Sequence, residues 1–189
     1  MKLNKRLAEV ILEFGNELER SAKSKLVSFE TYSMQVESWF KGEIIHFLGS
    51  HSAISNLRPE YPLQSPGRKR KKVDLKFQLC MEPGPADIWI ELKHWLRNYQ
   101  GRTYDAQKHF RAKDWGILSE VEALSTVSDG FGYALILCTP NPGDKDWISG
   151  VASFNELRSP LMIESLTMPA DFPDEFFLGL VAVLKSGLR

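Results

Sequence analysis

Lys72-Val73-Asp74-Leu75-Lys76-Phe77 and, shortly after, Asp87-Ile88-Trp89-Ile90-Glu91-Leu92-Lys93 are the stretches on which the reading of the fold turns. Side chains alternate across a β-strand. In the first stretch Val73, Leu75 and Phe77 therefore share one face, and Lys72, Asp74 and Lys76 share the other. In the second, Ile88, Ile90 and Leu92 oppose Asp87, Trp89, Glu91 and Lys93. Pro83, Gly84 and Pro85 mark a turn between them. Side chains two apart on a strand lie roughly 6.5 Å from each other. Glu91 and Lys93 are thus able to converge on one phosphate or metal, provided the Asp74 strand lies alongside. A salt bridge between them on an exposed sheet face is the plainer alternative.

Outward from this pair, Ala53–Leu63 reads as a preceding strand. Phe131–Cys138 is an apolar run between Gly130 and Pro140, as expected of a strand buried on both faces. Leu3, Leu7, Val10, Ile11, Phe14 and Leu18 recur at helical steps, giving a first helix over about residues 1–20 that the polar stretch Ser21–Lys25 ends. A second helix is expected from about Thr31 to Leu48, stopping at Gly49. Asp114 starts another, with Ile117, Leu118, Val121 and Leu124 as its stripe. Trp147–Phe154 reads as a further strand, and Phe176–Lys185 as strand or helix. The order predicts an α/β domain spanning 1–189, with a central mixed β-sheet flanked by α-helices.

The 189 residues suit one core, and 43% hydrophobic residues supply it. The formal net charge is zero, so a nucleic-acid partner would have to meet locally concentrated cations. Arg68-Lys69-Arg70-Lys71-Lys72 is such a concentration, leading straight into the Asp74 strand. It suits a phosphate backbone, or is a solvated loop with no partner. Between Trp95 and Lys113, cations that include Arg102 and Lys108 interleave with Tyr99, Tyr104 and Phe110. Gln107 or Lys108 would also be able to face a phosphate. Cys80 and Cys138 lack CxxC spacing and a completing His pair, so they read as buried, reduced thiols rather than zinc ligands. The four histidines form no set, and His94 points away from Glu91 and Lys93. Neither a signal peptide nor a membrane span is legible, and a cytoplasmic location is expected.

Along the second helix, with Val36 at 0°, Phe40 falls at about 40°, Ile44 at about 80° and Phe47 at about 20°. Glu43 falls at about 340°, inside this stripe, whereas Ser38, Lys41 and Gly42 fall outside it. A carboxylate there needs a specific partner, either a core Lys or Arg or a group at a metal site.

A helix with an inward Glu, a strand with an Asp and a following strand with Glu-x-Lys resembles the PD-(D/E)XK nuclease superfamily, over roughly Val36 to Pro140. Val73 stands where the name-giving proline would be, and the Gln-x-x-x-Tyr motif of some subfamilies is not found: Arg111 follows four residues after Gln107. The resemblance implies a restriction endonuclease-like fold. Asp74 and Glu91 would be metal ligands, Lys93 the catalytic lysine and Glu43 an auxiliary acid. The implied cofactor is Mg²⁺, with Mn²⁺ as substitute, and the implied partner is DNA. A homodimer or a partner subunit stays open, and so does a module of the same fold that binds or assembles without hydrolysis.

Overall fold

The computed structural model describes residues 2–63, 72–99, 101–114, 116–157 and 161–184. In chain order the elements are α1 (Lys2–Thr31), α2 (Glu37–Ser50), β1 (Ile54–Pro62), β2 (Lys72–Leu79) and β3 (Ala86–Leu96). A two-strand ribbon follows, β4 (Asn98–Tyr99) and β5 (Arg102–Thr103). Then come α3 (Ala106–Arg111), α4 (Leu118–Leu124), β6 (Phe131–Thr139), α5 (Asp144–Leu157), β7 (Met162–Ser165) and β8 (Phe177–Leu184).

Six strands form one sheet in the order β1-β2-β3-β6-β8-β7. β1, β2 and β3 are antiparallel neighbours. β3 and β6 run parallel, with α3 and α4 in the crossover, and β8 is antiparallel to both β6 and β7. The expected α/β architecture with a mixed, helix-flanked sheet is present.

The alternation read from the sequence decides which side each helix covers. Leu75, Phe77, Ile88, Ile90 and Leu92 enter one apolar layer with Leu135, Leu178 and the stripes of α1 and α2. Trp89, Trp95, Ala134, Ile136 and Cys138 enter a second layer beneath α3, α4 and α5.

Several expectations are corrected. Thr31 closes α1 and the second helix begins at Glu37, while the helix expected from Asp114 begins at Leu118. α1 does not stop near residue 20. Ala22 and Leu26 continue its buried stripe, so the polar residues from Ser21 to Lys25 are only its outer face. Trp147–Phe154 is helical: Trp147, Gly150 and Phe154 are buried at steps of three and four, while Ile148 is exposed. Cys80 is exposed, just past the end of β2, and only Cys138 is a buried thiol.

The edge strand β1 is irregular. Its register to β2 shifts between Ser55 and Arg58, Asn56 and Glu60 have φ of 53°, and Pro59 and Pro62 interrupt it. Among the described residues no helix is long and apolar enough to cross a membrane.

Candidate functional site

The β2–β3 ladder runs from Leu79↔Ala86 to Leu75↔Ile90 and stops there. The next position sets Asp74 opposite Glu91. Asp74 itself ends the ladder, because its Oδ2 accepts the Leu92 N–H at 2.9 Å, a donor that would otherwise seek a backbone carbonyl. The strands part at this fork, and the side chains of Asp74 and Glu91 are close enough within it for each to bear on the other's ionisation. The fork lies between the second and third strands, inside the sheet.

Burial alone would raise the pKa of Asp74. Hydrogen bonds from the Lys41 ammonium, from the Leu92 amide and with Glu91 outweigh it and hold the carboxyl below its ordinary value. Glu91 is 5% exposed. Lys93, on the same face of β3, ion-pairs with Glu120 at 2.8 Å, both side chains being largely covered. Burial would lower the lysine, but the bond to Glu120, helped by the charges of Glu120, Glu37 and Glu91, raises it above its ordinary value. Lys93 is therefore an ammonium at neutral pH, fitted to stabilise negative charge rather than to take up a proton.

Two further groups complete the surroundings. Lys41 Nζ lies 2.7 Å from Asp74 Oδ1 and also pairs with Glu60, which stands across β1 from Asp74. Below Lys93, His109 stacks on Trp95 with ring centroids 5.1 Å apart. Burial and the Lys93 charge push His109 down to about 3. Burial likewise pushes His94 down to about 4. His94 accepts the Val36 N–H at 3.3 Å, and its Nε2 bonds Thr139 Oγ1 at 2.8 Å, so it hangs the start of α2 on β3.

Asp74, Glu91 and Lys93 are thus brought together, and Glu43 is not with them. Its carboxylate lies 3.9 Å from Lys25 of α1. The reason is that α2 has two neighbours. Phe40, Ile44 and Leu48 are its buried centre. Trp39 and Phe47 lean on Phe29 and Phe14 of α1, and Glu43 is on their flank. The opposite flank, where Glu37 and Lys41 sit one turn apart, is the one facing the fork.

The proposed nucleic-acid contacts scatter. Lys72 is exposed, 3.9 Å from Glu60, and Arg68–Lys71 lie outside the described residues. Arg102 is exposed on the β4–β5 ribbon. Lys108 pairs with Asp105 at 3.5 Å, and Gln107 bonds Ser149 of α5, so neither is committed to the fork.

Sequence reasoning missed Lys41, Glu37 and Glu120. Glu37 and Lys41 carry a usable signal in their i, i+4 spacing on one helix flank. Glu120 carries none, since only the β3–β6 crossover brings it under Lys93.

The donor set suits a hard divalent cation. Asp74 and Glu91 are carboxylates on facing strands, and Mg²⁺ is typically held by one or two carboxylates with water and phosphate completing its shell, although Lys41 occupies Asp74 Oδ1 in this structure. Among the described residues no group of three or more His, Cys, Asp or Glu is placed to hold a metal unaided. A cation held by this pair would need water or a ligand to complete its shell.

No family model, no curated protein and no solved structure matches the chain.

Proposed function

We propose that the chain hydrolyses phosphodiester bonds, with DNA as substrate and Mg²⁺ or Mn²⁺ as cofactor, at Asp74, Glu91 and Lys93. The observation that carries this reading is the register that sets Asp74 opposite Glu91 at the β2–β3 fork, with an ammonium on the same strand face. Further support comes from topology: a three-strand antiparallel unit followed by a helical crossover to a parallel strand is compatible with a restriction endonuclease-like domain. A cation bound here would polarise the phosphate and lower the pKa of an attacking water. Asp74 and Glu91 would hold it. The Leu92 amide fixes the orientation of Asp74, and Glu120 fixes Lys93, whose ammonium would offset charge gathering on the phosphoryl oxygens.

One observation favours a second reading, a nucleic-acid-binding or assembly module without hydrolysis. Lys41 already neutralises Asp74, and Glu120 already neutralises Lys93.

Incubation with supercoiled plasmid separates the two. Nicking is expected with Mg²⁺ or Mn²⁺, not in EDTA, and not by Glu91→Gln. Calcium is expected to support binding without cleavage, because it tolerates looser geometry. A wild type that binds DNA but never cleaves across varied substrates gives the second reading the advantage.

A further inference from the structure

Lys41 touches the fork but has no part in the proposed chemistry. Its ammonium lies 2.7 Å from Asp74 Oδ1, at the oxygen a metal would need, and Asp74 Oδ2 is held by the Leu92 amide. Lys41 is mostly covered and has a second partner in Glu60, whose side chain is half exposed. The ammonium therefore has two anionic partners, only one of which belongs to the carboxylate pair.

We propose that Lys41 is a built-in cation that competes with the divalent ion for Asp74, and that Glu60 is the partner to which it withdraws when the ion binds. This rests on the metal reading above and adds to it a residue that sets the affinity of the site. The physical basis is electrostatic. With Lys41 on Asp74, the two clustered carboxyl groups carry a counter-charge when no metal is present, which offsets like-charge repulsion. A divalent ion arriving beside Asp74 meets a cation about 4 Å away, a repulsion large enough at a partly covered site to change affinity by a factor of ten or more. Giving up the Asp74 contact while keeping the existing Glu60 one relieves that repulsion without leaving the ammonium unpaired.

The test is Mn²⁺ binding to the whole chain, followed by calorimetry and by water-proton relaxation, with no nucleic acid and no turnover. Lys41→Met keeps the stem and removes the charge, and is expected to bind Mn²⁺ about tenfold or more tightly than wild type. Glu60→Gln is expected to bind it more weakly, because Lys41 then has only Asp74. In the Lys41→Met background Glu60→Gln should have little further effect, since Glu60 acts through Lys41; such a cycle isolates the coupling. Circular dichroism confirms folding. If Lys41→Met does not fold, the comparison of Glu60→Gln with wild type carries the test. Equal or weaker Mn²⁺ binding by Lys41→Met, or an undiminished Glu60→Gln effect in its background, overturns the role of Lys41 alone. Unchanged binding by Glu60→Gln does the same. Absence of Mn²⁺ binding that Glu91→Gln alters, in wild type and Lys41→Met alike, overturns the metal reading and this inference together.

Discussion

Lys93 and the two buried histidines show how far one side chain's surroundings set its behaviour. Lys93 is held charged by Glu120, so in the proposed hydrolysis it would stabilise charge rather than accept a proton. Lys93→Ala should therefore lower cleavage by ~10²–10³, the usual cost of losing an electrostatic stabiliser, while leaving Mn²⁺ affinity nearly unchanged. Single-turnover cleavage alongside Mn²⁺ titration checks both halves. A loss of Mn²⁺ binding equal to the loss of rate would place Lys93 in metal retention instead. His94 and His109 are held neutral by burial, with folded-state values of about 4 and about 3. The unfolded chain protonates them near 6.5, so their contribution is fully present above that pH and is lost as pH falls toward 4. Each should cost about 1.4 kcal/mol of stability per pH unit across that window. Urea denaturation at intervals from pH 7 to pH 4.5 measures this, and His94→Gln should flatten the slope. A slope unchanged in that variant would mean His94 is not neutral when folded.

Helices α2 and α5 give two contrasting tests of packing. A Cβ on Gly179 of β8 would lie 2.2 Å from the Trp147 ring of α5, backed by Phe177 at 4.7 Å from the same ring. Gly179→Ala should therefore cost on the order of 1–3 kcal/mol by overpacking, read as a lowered denaturation midpoint. Glu43→Ala, by contrast, removes a partly exposed ion pair to Lys25 and should change stability by about 0.5 kcal/mol or less, with cleavage intact. A cleavage defect in Glu43→Ala would return it to the site.

These two helices also mark what was legible in the sequence. The bounds of β2 are read to the residue, and those of β3 and β6 nearly so, from alternation and a bounded apolar run, but Val73 packs in the second layer and not, as its alternation predicts, with Leu75 and Phe77. Asp74, Glu91 and Lys93 came with those strands. α5 was read as a strand because Trp147-Ile148-Ser149-Gly150-Val151 is apolar enough for either period, and only packing on α3 and β8 decides it. Glu43 was misplaced because a helix touching both a sheet and another helix has a wide apolar arc, and its sequence does not say which part meets which neighbour. Lys41 and Glu120 reach the fork through tertiary contacts that no local pattern records.

At the scale of the molecule, zero net charge makes any attraction to DNA a matter of where cations gather. Replacing Arg68–Lys71 with Ser should weaken binding to all DNA sequences alike. It should also make the salt dependence shallower, by about one unit of log–log slope for each phosphate that is no longer neutralised. Filter binding over a range of salt concentrations checks this; an unchanged slope removes the basic run from the interface. The sheet's margins carry a separate consequence. Among the described residues one margin is β1, with two residues at positive φ, two prolines and a shifted register. The other is β7, only four residues long. An incoming strand needs an unbroken row of amide and carbonyl partners, and neither margin provides one. Growth by strand addition, the usual route from sheet to fibril, is thereby discouraged at both margins of the six-stranded sheet.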